Sequence, residues 1–119
     1  MSATQPMRGD IWWVELSRTR GHEQAGRSPA LVVSVDEFNQ GLSNLVIVMP
    51  LTTRIRPIPL HVEVNLPEGG VARPSQVLCE QIRSISRSRL SEFIGAISTD
   101  TMAQVEHSMA ALLFAEHSG

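Results

Sequence analysis

The chain has 119 residues, 42% of them hydrophobic, which suits one domain with a single core and excludes a disordered chain. A formal charge of −2 argues against a protein that coats nucleic acid indiscriminately, and a lone cysteine, Cys79, excludes an intrachain disulfide and a multi-cysteine metal site. No apolar run approaches the about 18 residues of a membrane span, and "MSATQPMRGD" lacks the basic-then-apolar pattern of a secretory leader, so a cytoplasmic protein with no membrane partner is expected.

In chain order, residues 1–7 read as a flexible segment and 8–119 as one domain. "DIWWVEL" (10–16) is rich in β-formers, with Trp12 and Trp13 on opposite faces, one for the core and one for an interface or groove. "ALVVSV" (30–35) is a short apolar run of the kind a doubly covered strand shows, and "DEFNQG" (36–41) suits a helical turn. "NLVIVMPL" (44–51) is the most apolar stretch and should lie centrally. "LHVEVNL" (60–66) alternates, which predicts Leu60, Val62, Val64 and Leu66 facing in and a solvated His61. "PEGG" (67–70) reads as a turn, "SQVLCEQIRSI" (75–85) as one long strand and "EFIGAIS" (92–98) as a last short one. From Thr99 the period changes: Met102, Val105, Met109, Leu112 and Leu113 recur at helical spacing, with Ser98 or Thr99 as cap and Asp100 at the positive end of the dipole. The expected fold is mainly β, a small curled antiparallel sheet or barrel covered on one side by a terminal α-helix. Cys79 is expected to be a buried, inert thiol.

All ten basic residues are arginines; residues 1–90 carry them beside eight acids, whereas residues 91–119 carry four acids and no arginine. That split leaves room for a polyanion on the first part, because arginine forks onto phosphate, or reflects a plain preference for arginine. No His-x-x-x-His, Cys-x-x-Cys, nucleophile elbow or P-loop occurs, so no metal or cofactor is expected. What remains is polar residues at loop and strand ends: His22, Glu23, Gln24 and Arg27, with Ser28 beside them, in "GHEQAGRSP", Thr52 and Thr53 after the central strand, and Ser75, Glu80, Gln81 and Arg83 in the later strand. One metal-free reaction uses such parts. RNA is cut when its own 2′-hydroxyl attacks the adjacent phosphorus, given a base, an acid and positive charge on the phosphoryl oxygens. A loop that holds an imidazole, a carboxylate and a guanidinium has one of each; a solvated turn is the other reading. His61, His107 and His117 are given no catalytic role.

In order, "RGDIWWVEL", "GHEQAGRSPALVVS", "DEFN", "VIVMPLTT", "CEQIRSI" and "RLSEFIGAIS" resemble the MazF/PemK toxins, the endoribonuclease halves of bacterial toxin–antitoxin pairs. The resemblance runs from about Arg8 to the final helix. It implies a small SH3-like barrel of the CcdB/MazF type with a C-terminal helix, assembled as a homodimer. It also implies metal-independent, sequence-selective cleavage of single-stranded RNA to 2′,3′-cyclic phosphate and 5′-hydroxyl ends. RNA would share the dimer groove with the C-terminal peptide of a MazE-like antitoxin, with which such toxins also bind DNA. Carried over by position, Glu23 matches a proposed base, His22 a histidine given that role in a PemK-type relative, and Thr52 a threonine that holds the reacting phosphate. Glu80 matches an acid tied to catalysis or base contact, and Gln81 a neighbour on the RNA surface, with Gln24, Ser28 and Thr53 beside them. Two positions depart from the pattern. Ser28 stands where the family has its phosphate-binding arginine, with Arg27 one residue earlier, and Leu78 stands where the PemK-type relative has an arginine. In an extended segment a shift of one turns a side chain to the opposite face. Glu23, Arg27 and Thr52 are therefore the expected catalytic set. A toxin-fold protein that binds antitoxin, or a topoisomerase as CcdB-like proteins do, without cutting RNA is the alternative.

Overall fold

The computed structural model describes residues 5–15 and 26–114. Seven strands and two helices follow in order: β1 (Asp10–Glu15), β2 (Arg27–Val32), α1 (Asp36–Asn39), β3 (Leu45–Thr52), β4 (Val62–Val64), β5 (Ser75–Val77), β6 (Arg83–Ser86), β7 (Leu90–Ala96) and α2 (Thr99–Leu113). The strands form one antiparallel sheet in the order β4-β5-β3-β2-β1-β7, and β6 pairs with β3 as well. Two register shifts between β1 and β7, at Ile11/Trp12 and Trp13/Val14, bend the sheet as bulges do. The mainly β fold with a terminal helix expected from the sequence is the one found.

Period-two alternation sorts the side chains into two cores. Ile11, Leu31 and Met49 are cross-strand neighbours in register and pack with Leu51, Val62, Val64, Val77 and Cys79 under Met102 and Val105 of α2. The intervening residues, Trp12, Val14, Ala30, Val32, Val46 and Val48, form a second cluster on the other face with Ile85. Burial of each such aliphatic side chain is worth about 1.5–3 kcal/mol, so the two clusters hold the sheet from both faces. Cys79 is fully buried, and burial pushes its thiol up to about 11, with the Glu80 charge adding to the rise and Ser108 opposing it. It is inert at neutral pH, as expected.

α2 starts where the periodicity placed it. The Ser98 hydroxyl accepts from the Thr101 N–H at 3.1 Å and satisfies one of the free donors of the first turn. Met102, Val105 and Ser108 face the core, whereas Leu112 and Leu113 do not: Leu113 is 55% exposed. Glu68 buttresses the same helix start, its Oε2 accepting from the Ser98 N–H at 2.8 Å. At the other end of the chain the Arg8 guanidinium bonds the Val33 carbonyl and Glu106, and its backbone N–H donates to Asp36 Oδ1 at 2.7 Å.

Two expectations are corrected. Residues 75–85 are not one strand: β5 and β6 are separated by a 3₁₀ turn over Cys79–Gln81, because β3 offers them two different stretches of one edge. The alternating segment 60–66 pairs only over Val62–Val64, and Leu66 is 51% exposed because the chain has already turned towards Glu68–Gly70.

β7 closes over that turn at a point where no side chain fits. Gly69 and Gly70 both take φ of 70°, and a Cβ on Gly95 would lie 2.5 Å from the Gly69 carbonyl group. Gly95→Ala is therefore expected to cost about 2 kcal/mol or more and to lower Tm by about 5–10 °C in thermal denaturation. A second expectation concerns Glu68. Partial burial raises its carboxyl, but the Ser98 backbone N–H and the Thr101 and Ser98 hydroxyls outweigh this, and the net shift is downward. A group depressed on folding stabilises above its unfolded value, here 4.5, and loses that contribution as pH falls through the folded value. Glu68→Gln should be less stable than wild type at pH 7, and the gap should shrink steadily below pH 4.5 in urea titrations; a gap that widens with acid would contradict the assignment.

Candidate active site

The end of β3 and the turn after β5 enclose a cleft of about 290 Å³. Thr52, the last residue of β3, stands opposite Gln76 of β5, and its Oγ1 accepts from the Arg54 N–H at 3.1 Å. The loop that follows carries Arg54 and Arg56 along the cleft wall. On the facing wall the 3₁₀ turn buries Cys79 and so turns Glu80 and Gln81 outward. The structure thus joins three of the expected site residues, Thr52, Glu80 and Gln81, from segments far apart in sequence.

It also adds residues that the sequence reading passed over. His61 is not solvated: its side chain is 4% exposed, wedged between Gln76 and Glu80. Nδ1 lies 3.2 Å from Gln76 Oε1, and Nε2 lies 3.0 and 3.1 Å from the two Glu80 oxygens. The Gln76 amide donates its own N–H to the Arg56 carbonyl, so its oxygen can only accept. Both ring nitrogens of His61 therefore face acceptor oxygens. Glu80 responds accordingly. Partial burial raises its carboxyl, but its own backbone N–H and the hydrogen bond and charge of His61 outweigh that, so Glu80 lies below the usual carboxylate range. Among the described residues no carboxylate forms an ion pair with Arg54 or Arg56, and the cleft sets the Glu80 carboxylate opposite a wall that carries these two guanidinium groups. The signal in the sequence was "TTRIRPIPLH", two arginines followed by two prolines just after a strand end.

The other expected residues lie elsewhere. Arg27 and Ser28 alternate in β2, so their side chains take opposite faces. Ser28 stands opposite Val14, whereas Arg27 lies on the Trp13 face, its guanidinium carbon 4.9 Å from the Trp13 ring centroid and NH1 3.3 Å from Glu92 Oε1. Arg27 therefore does not line the Thr52–Glu80 cleft. An exposed ion pair is worth about 0–1 kcal/mol and an exposed cation–π contact about 0.5–1 kcal/mol, so these holds on Arg27 are weak. Thr53 faces a second hollow, about 380 Å³, with Trp13, Pro29, Arg73 and Ile94 on its walls. The expected division between the tryptophans holds: Trp12 is buried against Phe93, and Trp13 lines this hollow. His22, Glu23 and Gln24 lie outside the described residues. Among the described residues no three His, Cys, Asp or Glu side chains cluster as metal ligands would, and no helix is long and apolar enough to cross a membrane.

Comparison with known proteins gives this architecture a family. Residues 7–113 match the family described as PemK-like, MazF-like toxins of type II toxin–antitoxin systems. Endoribonuclease EndoA of Bacillus subtilis is 36% identical over 104 residues, which span 86% of this chain and 89% of the relative. A crystal structure of MazE–MazF from Deinococcus radiodurans superposes with a TM-score of 0.83 at 32% identity, covering 96% of this chain and 100% of the other. One of MazF from the same organism gives 0.77 at 31%, over 93% and 98%. A mycobacterial endoribonuclease with its cognate antitoxin, 23% identical with a TM-score of 0.78 over 95% and 99%, shares the fold. With the matched segment spanning nearly the whole chain, the protein belongs to the PemK-like, MazF-like toxin family.

Proposed function

We propose that this protein is the toxin of a type II toxin–antitoxin pair and an endoribonuclease that cuts single-stranded RNA, mRNA included, at a short motif without a metal. It would act in the cytoplasm as a homodimer whose groove takes either RNA or a MazE-like antitoxin peptide. The observation that carries this reading is the cleft itself: a Thr52 hydroxyl, the Glu80–His61 pair and the arginines 54 and 56 on one strand-end surface. Relatives whose names and structures speak of endoribonucleases and of MazE–MazF assemblies support it.

In the reaction, the 2′-oxygen forms a bond to the adjacent phosphorus and the bond from phosphorus to the 5′-oxygen breaks. The products are a 2′,3′-cyclic phosphate and a 5′-hydroxyl. Glu23 takes the 2′-hydroxyl proton, solvent water returns a proton to the departing 5′-oxygen, and Arg27 and Thr52 hold the phosphoryl oxygens as charge builds on them. His22, Gln24, Ser28, Thr53, Glu80 and Gln81 contact the substrate. Glu80, ionised and acceptor-only, suits the amino groups of bases. For Arg27 to serve, it must leave Trp13 and Glu92, and the weakness of those contacts permits a phosphate to draw it away. The orientation of Arg27 also favours a second reading, a toxin-fold protein that binds antitoxin and cuts poorly, because Ser28 supplies no charge where the family has its arginine.

A long single-stranded RNA incubated with the protein and excess chelator separates the two. Cleavage at one motif with cyclic-phosphate ends is expected, reduced about 10²–10³-fold in Arg27→Ala and in Thr52→Ala, and lost in Glu23→Ala. Inert wild type, with activity appearing in Ser28→Arg, would decide for the binding protein.

A further inference from the structure

Three hydrogen bonds of the cleft meet on one buried side chain. Gln76 of β5 is 3% exposed. Its Nε2 donates to the Arg56 carbonyl at 2.8 Å, and its Oε1 accepts from the Arg56 N–H at 3.1 Å and lies 3.2 Å from His61 Nδ1. The first two bonds are the paired donor and acceptor that a neighbouring strand offers a peptide unit, supplied here by a side-chain amide. They act where the backbone has little else. Between Thr53 and His61 the chain forms no strand or helix. The bonds it makes within itself, Ile58 N–H to the Arg56 carbonyl and His61 N–H to the Ile58 carbonyl, are short-range turns. At the start of the loop the Arg54 N–H is held by Thr52 Oγ1. Beyond that and the His61–Glu80 pair, the hydrogen bonds that tie this loop to the sheet among the described residues go through Gln76.

We infer that Gln76 is a positioning residue for the cleft: it fixes the loop that presents Arg54 and Arg56 to a polyanion, and it holds the His61 ring edge-on to Glu80. The inference rests on the reading of the cleft as an RNA site. Gln76 is covered by the loop it holds and touches no substrate. Its effect is to order two long cationic side chains' backbone before binding, so that RNA does not bear that ordering cost. Loss of the clamp weakens capture of RNA while leaving the chemistry at Thr52 close to normal, a rise in KM with kcat retained.

Two variants test this. Gln76→Leu keeps the bulk and the strand pairing and removes all three bonds. Gln76→Glu keeps the shape and the acceptor but turns an oxygen to the Arg56 carbonyl. Amide exchange at Arg56 in the free protein, followed by NMR, should accelerate in both variants. Steady-state cleavage of a fluorescein-labelled single-stranded RNA should show KM raised about tenfold and kcat within about twofold of wild type. Unchanged exchange at Arg56 with normal KM would overturn the clamp while leaving the nuclease intact. So would kcat falling together with Tm, the mark of a general structural residue. Wild type that neither binds nor cuts RNA would overturn the reading of the cleft instead, whatever the exchange at Arg56 shows.

Discussion

β3 has to serve three partners along eight residues, and the cleft follows from that demand. Leu45–Val48 pair with β6, Val48–Pro50 have partners in β2, and Leu51 and Thr52 pair with β5. An edge of a strand holds one partner at any level, because each peptide group has one donor and one acceptor to satisfy. β5 and β6 must therefore divide one edge of β3 between them, and the chain joining them has to step out of the sheet. Cys79–Gln81 is that step. Its inward residue, Cys79, seals the core beneath α2, and the two that follow are forced to the surface beside the end of β3.

The cleft is thus a by-product of sheet geometry, but its electrostatics are made by side chains. Glu80 keeps its charge because its own backbone and His61 stabilise it against partial burial. His61 keeps its orientation because Gln76 presents an oxygen and nothing else, the amide nitrogen being taken by Arg56. One buried amide therefore sets both the arginine loop on one wall and the acid–imidazole pair on the other. A polar side chain so deeply placed costs free energy unless it is hydrogen-bonded, and here both the amide nitrogen and the amide oxygen have partners.

Arg27 illustrates the opposite regime. It sits on an exposed face, stacked on Trp13 and paired with Glu92 across β1 and β7, in contacts that solvent and a phosphate compete with easily. A guanidinium held this loosely is a reserve of positive charge near the second hollow rather than a fixed part of the first. Thr52 and Thr53 open onto the two hollows in turn, so the end of β3 is the ridge between them.

Much of the fold is written in local pattern. Apolar runs and alternation located β1, β2, β3 and β7 to within a few residues, and the change of period at Thr99, with Ser98 as its cap, located α2. The resemblance in "GHEQAGRSP", "MPLTT" and "CEQIR" pointed to Thr52, Glu80 and Gln81, which do meet. Periodicity reports which face a residue would take if its strand continued, and it is blind to whether a partner is free to continue it. That is why residues 75–85 read as one strand and broke into two, and why Leu66, Leu112 and Leu113 kept the right spacing with none of the described residues covering them fully. The same limit hid His61: alternation put it on the outer face, correctly, but only the fold brings Gln76 and Glu80 over that face. Local sequence by itself determined the elements and the chemical types at their ends, because those depend on neighbours a few residues away. Tertiary structure decided which ends share a cleft, how Arg27 turns and what Gln76 holds, because each of those depends on partners distant in the chain.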